Sequence, residues 1–230
     1  MNRRLIKKRI ITLLGDGDLP GIQEGLKEYP EPGMLNALFS CLCHPDELVR
    51  WHAVSAFGIV VPGMAARNLE QARTVMRRFL WMLNDESGGI GWGVPEAMGE
   101  VMASSDSLAD EYLHMLVSYT LDDGPEMFQD GNFLELDLLQ EGVLWGLCRI
   151  APRWCPRLRE LGLGENLGVY FHSPNSNVRG QVCRLSSILK WTPLQEHLDE
   201  LLTDSSPVRY YDEGAFITTT VAHLASAAVS

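Results

Sequence analysis

Cysteine is scarce in this chain, with five in 230 residues, an odd number and widely scattered. That excludes the dense, paired framework of a small secreted disulfide protein and fits free thiols in a reducing, cytoplasmic setting. Long apolar runs are missing as well, and none approaches the ~20 residues of a membrane span. The stretch Ile10–Leu14 follows a basic cluster (Arg3, Arg4, Lys7, Lys8, Arg9) but is too short for a signal-peptide core and runs into Gly15-Asp16-Gly17-Asp18. Arg3–Leu14 therefore reads as an amphipathic helix. Positive charge is absent from Phe79 to Cys148, a stretch with fourteen acids and neither Lys nor Arg. With a net charge of −11, this argues against non-specific nucleic-acid binding.

Catalytic and cofactor motifs are also lacking. The run Gly88-Gly89-Ile90-Gly91-Trp92-Gly93 has the wrong spacing for a dinucleotide loop and follows no strand. There is no phosphate-loop lysine and no Gly-x-Ser-x-Gly elbow. The six histidines are dispersed, without a His-Glu-x-x-His helix. Cys41-x-Cys43-His44 resembles the start of a zinc site, but no second cluster follows to complete about four ligands. Cys41 is expected as a core residue with Cys43 incidental. No metal and no cofactor is expected.

What is present is a core in helical rhythm. Hydrophobic residues make up 46% of the chain, enough to bury an interior. They recur at three- and four-residue spacing: Leu35, Leu38, Phe39 and Leu42; Val75, Met76, Phe79, Leu80 and Leu83; Leu113, Leu116, Val117 and Leu121. Turn signals punctuate them at short intervals, among them Pro30-Glu31-Pro32-Gly33, His44-Pro45-Asp46, Asp122-Asp123-Gly124-Pro125 and Asp204-Ser205-Ser206-Pro207. Phe216–Val221 has strand propensity, but it lies in a periodic run that ends Ala-rich and is expected to be helix. The expectation is an all-α protein of short antiparallel helices in one domain, residues 1–230.

The helices repeat. Asp46-Glu47-Leu48-Val49-Arg50-Trp51-His52-Ala53-Val54-Ser55-Ala56-Phe57-Gly58 has a capping Asp, then Val-Arg, then small residues on one face. Forty-one residues on, Ile90–Gly99 overlays the same pattern, with Ile90 for Val49, Ala97 for Ala56 and Gly99 for Gly58. There a helix should begin near Trp92 or Gly93, with Pro95 in its first turn. Leu139, Val143, Gly146, Leu147 and Ile150 form a third match. Asn175–Arg179 opens a fourth and Pro207-Val208-Arg209 a fifth, in which Asp212 falls where Ala belongs. Val49, Ala53, Ala56, Phe57, Val143, Leu147, Val182 and Leu185 should be buried.

This pattern resembles HEAT repeats, of the armadillo-like class, and in particular small uncharacterised bacterial HEAT-repeat proteins. The resemblance implies a right-handed α-α superhelix of about five helix pairs. Residues 33–228 would form the repeats and 1–32 a capping pair, with the second helices lining a concave face. It also implies that Arg50, Arg179 and Arg209 are structural, pairing with acids in neighbouring turns. In the repeat frame Trp51, Trp92, Glu141 and Tyr210 share one column, and Ser55, Glu96, Trp145 and Arg184 the next. From these columns, without Ser55 and with Glu100 added, come the candidate groove residues Trp51, Trp92, Glu96, Glu100, Glu141, Trp145, Arg184 and Tyr210; the bland alternative is tryptophans packed between repeats.

The expected function is a non-enzymatic scaffold that binds a protein or peptide, its partner carrying a basic segment, in an acidic groove anchored by tryptophan. The alternative is an enzyme similar to the HEAT-like alkylpurine DNA glycosylases, which would need a basic groove with aromatic and acidic residues at its base. HEAT-built iron hydroxylases carry His-Glu pairs, and only the reversed Glu196-His197 occurs here. No motif supports a HEAT-like pigment or cofactor lyase.

Overall fold

Asp46 starts the helix that carries the clearest repeat unit. Its carboxylate accepts from the backbone N–H groups of Leu48, at 2.9 Å, and Val49, at 3.4 Å, satisfying donors that the first helical turn leaves unpaired. Four residues after the cap, Arg50 donates back to the His44 carbonyl at 3.0 Å. The same device recurs where the fourth repeat was expected. Asn175 caps through Asn177 N–H at 2.9 Å, and Arg179, again four residues on, donates to the Ser173 carbonyl at 2.6 Å.

The computed structural model describes residues 2–84, 91–122 and 131–229. In chain order the helices are α1 (Arg3–Asp16), α2 (Leu19–Leu26), α3 (Glu31–Cys41), α4 (Glu47–Arg67), α5 (Leu69–Leu83), α6 (Val94–Ala103), α7 (Asp106–Ser118), α8 (Asp137–Glu160), α9 (Gly168–Phe171), α10 (Ser176–Leu189), α11 (Gln195–Leu201) and α12 (Val221–Val229). Strands β1 (Pro207–Asp212) and β2 (Ala215–Thr220) precede α12. Two compact units divide inside α7, between Leu108 and Ala109.

In the first unit α4 packs against α1, α2, α3, α5 and α6. Phe39, Phe57 and Phe79, from α3, α4 and α5, meet with ring centroids 4.8–5.1 Å apart. Such close aromatic contact adds to the burial of the rings. Buried His52 reaches the Leu14 carbonyl at 2.6 Å and ties α4 to α1. α1 buries Ile6, Ile10 and Leu14 and leaves its basic residues exposed. Among the described residues α4 is the one helix long and apolar enough, by length and composition, to cross a membrane; its packing against five helices accounts for that apolar character. α6 begins at Val94 behind Gly93, with Pro95 in the first turn, as expected. Ile90, the expected repeat equivalent of Val49, lies outside the described residues.

In the second unit α10 is the central element, packed against α8, α9, α12 and β1. α8 bends at Trp154, whose φ −114° and ψ 16° fall between Pro152 and Pro156. Proline removes a helical donor and crowds the preceding turn, which accounts for the bend. The eight residues expected to be buried, from Val49 to Leu185, are all buried.

The fifth repeat is a correction. Pro207–Arg209 opens no helix, and Phe216–Thr220 is strand rather than helix: β1 and β2 form an antiparallel hairpin with Tyr210 opposite Ile217 and Tyr211 opposite Phe216. The cause is the Glu213-Gly214 turn, where φ is positive at both residues, 44° and 92°. A two-residue turn of that hand matches strand twist, and the β-branched run Ile217–Thr220 suits the ribbon. Helix resumes at Val221.

Candidate functional site

Four candidate residues lie in the first unit, three of them on two helices packed against each other and Trp92 just ahead of one. α4 carries Trp51, half-buried, in its second turn. Trp92 stands two residues ahead of α6 and is 40% exposed, on a protein whose large apolar side chains are mostly covered. Glu96 occupies the first turn of α6, where the positive end of the helix favours a carboxylate. Its Oε2 is buried. Glu100 follows one turn later on the same face and lies against Gly58 of α4. A Cβ built on Gly58 would come within 3.0 Å of Glu100 Cβ, so the glycine permits the close approach. The paired carboxylates therefore border the α4–α6 seam, with an exposed indole at its start.

The other four lie in the second unit. Three of them, Trp145, Arg184 and Tyr210, converge on the hairpin. Trp145 is buried at 1% exposure, and its indole N–H donates to the Tyr211 carbonyl at 2.7 Å. It is a packing residue beneath β1, not the exposed anchor that its column suggested. Arg184 lays its guanidinium 3.8 Å over the Tyr210 ring and donates to Gln181 Oε1 at 2.9 Å. Asp212 lies between two cations, 3.8 Å from Arg184 and 3.5 Å from Arg149. Arg184 is thus held by a cation–π contact, a hydrogen bond and an ion pair. Glu141 sits one turn before Trp145 on α8, half-buried.

Arg149, Asp212 and Tyr211 belong to this network but are not among the candidate groove residues. For Arg149 the signal is the spacing Glu141, Trp145, Arg149 along one helix face; Tyr211 and Asp212 join the network from β1. Of the three repeat arginines, Arg179 matches the expected pairing: it meets Asp204 at 2.8 Å and Ser206 Oγ at 3.2 Å. Burial acts to raise the Asp204 pKa, but hydrogen bonds from Ser206 and Arg179 outweigh it and hold the carboxyl below its usual value. Arg50 donates to loop carbonyls rather than to an acid. Arg209 lies on β1, 3.8 Å over the Phe216 ring. Burial pushes the Cys41 and Cys148 thiols up to about 11 and Cys183 to about 12, which makes them poor nucleophiles. Cys43 is exposed.

No family model matches the chain. A protein of Archaeoglobus fulgidus with no assigned function is 35% identical over 86 residues, 37% of this chain. The chain spans 43% of that relative's length. Solved structures are similar over nearly the whole chain. An engineered protein from a structural genomics consortium superposes with a TM-score of 0.56 at 18% identity, covering 100% of this chain and 98% of that one. A computationally designed armadillo-repeat protein for modular peptide recognition gives 0.54 at 15% identity, covering 97% and 90%. A designed armadillo-repeat protein in complex with the peptide (KR)4 gives 0.51 at 16% identity, covering 96% and 97%. The fold is an armadillo-type helical repeat. Armadillo and HEAT units belong to one superhelical class, so the expected all-α repeat architecture holds, with the hairpin as a local departure.

Proposed function

We propose that this chain is a non-enzymatic scaffold that binds a protein or peptide carrying a basic segment. The observation that carries the reading is the pairing of Glu96 and Glu100 on one face of α6, with Trp92 exposed beside them, in a stretch without Lys or Arg. An arginine or lysine of the ligand would meet carboxylates there and an indole face for cation–π contact. Trp51 supplies a second aromatic surface on α4. In the second unit, taken by itself, the proposal keeps Glu141, Arg184 and Tyr210 as candidate polar contacts and drops Trp145 as an anchor, because a buried indole cannot meet a ligand. Two of the similar structures add support, one designed for peptide recognition and one bound to an alternating Lys-Arg peptide.

A DNA-binding enzyme would need cations where this stretch has none. Fluorescence anisotropy with labelled (KR)4 and, in parallel, a labelled DNA duplex at ~0.15 M salt separates the two. The proposal expects saturable peptide binding and no duplex binding. Tighter binding of the duplex than of the peptide would reverse the assignment.

A further inference from the structure

In the second unit His172 is brought beside His197 and Glu200, which lie 25 and 28 residues further along the sequence. His172 directly follows α9, and His197 and Glu200 stand one turn apart on α11. One ligand atom from each of the three lies within 4.8 Å of the other two. His172 Nδ1 and Glu200 Oε2 are 4.0 Å apart. The His197 ring is stacked on Phe171, with centroids 5.1 Å apart and planes 17° from parallel, and the His172 ring meets it edge-on at 5.4 Å. Phe171 is itself buried, so the wall that orients His197 is fixed. Leu194 and Leu198 are buried from the same segment and hold α11 in place, which sets the direction in which His197 and Glu200 leave the helix.

We propose that His172, His197 and Glu200 form a site for one divalent transition-metal ion of the zinc type. Two imidazoles and a carboxylate are the donor set that zinc, cobalt and nickel favour, whereas magnesium and calcium favour oxygen alone. Bonds of ~2.0–2.1 Å around a tetrahedral ion place ligand atoms about 3.3 Å apart. Closing from the present separations would come from side-chain rotation of His172 and Glu200, whose side chains are 60% and 62% exposed. His197, half-buried and stacked, is the fixed ligand onto which the other two close. Three protein ligands leave the remaining position to water, and the exposure of the site gives the ion direct access from solvent. The site is independent of the peptide-binding reading, whose residues lie elsewhere.

The test is calorimetric titration of the full chain with zinc chloride, with magnesium chloride as control. The proposal expects one zinc per chain, no magnesium binding, and a rise in melting temperature with zinc. His172→Ala, a change at an exposed side chain that should leave the circular dichroism spectrum unaltered, weakens zinc binding by at least ~10-fold, and His197→Ala and Glu200→Gln weaken it as well. The double variant Cys43→Ser/His44→Ala, which removes an adjacent thiol and imidazole in the first unit, keeps wild-type affinity. With cobalt in place of zinc, the spectrum shows no thiolate charge-transfer band. Absence of saturable zinc binding overturns the site. So does an affinity unchanged by His172→Ala, or zinc binding that is lost with Cys43 and His44 instead.

Discussion

Trp145 and Asp204 show how single side chains are committed by their neighbours. The Trp145 indole is covered, and its N–H is matched to the Tyr211 carbonyl. Trp145→Ala removes a large buried ring and its hydrogen bond to that carbonyl, so urea unfolding should show a loss of ~3–5 kcal/mol. An unchanged midpoint would mean that the indole is not packed as described. Asp204 is held below its usual pKa by Ser206 and Arg179. A carboxyl depressed in the folded state adds stability above its unfolded pKa and loses it as pH falls through the folded value. Asp204→Asn should therefore lower the melting temperature at pH 7, and the gap to wild type should close as pH drops below ~3.9. A gap that persists in acid would remove the charge from the explanation.

The β1–β2 hairpin depends on a turn whose two residues both have positive φ. Gly214→Ala places a Cβ in that conformation and should cost ~1–2 kcal/mol in chemical unfolding. A neutral result would show that the ribbon is held by packing on α10 and α12 rather than by its turn. Helix starts were legible in the sequence because caps and prolines act locally. Asp46, Asn175 and the Gly93-Val94-Pro95 entry each mark a helix at the residue where it begins. The hairpin was not legible as such. Pro207-Val208-Arg209 copies the Val-Arg signature of Val49-Arg50 and Val178-Arg179, and the Ala-rich α12 lends helical rhythm to the β-branched run before it. Glu-Gly is also a weaker turn signal than Asn-Gly or Asp-Gly. That misreading propagated to the candidate site. Helix spacing puts Trp145 on α8 but carries no sign of the strand that covers it. The His172, His197 and Glu200 cluster was illegible for a different reason: two of its ligands share a helix turn, while the third is brought in by tertiary packing, which spacing does not encode.

Across the molecule, charge is distributed by segment: the 70 residues from Phe79 to Cys148 carry fourteen acids and no Lys or Arg, and six arginines follow between Arg149 and Arg184. Acids on surface helices keep a repeat protein soluble, and they also attract a basic ligand over a Debye length of ~8 Å in physiological salt. Attraction of that reach acts mainly on association rate, while an indole covered by the ligand carries affinity. Trp92→Ala should thus weaken peptide binding by ~2 kcal/mol, about 30-fold, without the loss of stability expected for Trp145→Ala. The most direct measurement is an anisotropy titration of labelled (KR)4 against wild type and the double variant Glu96→Gln/Glu100→Gln, repeated over a range of salt concentrations. The scaffold account predicts weaker binding by the variant and a shallower salt dependence, with its melting temperature close to wild type. Equal affinity and equal salt dependence for the two proteins would contradict it.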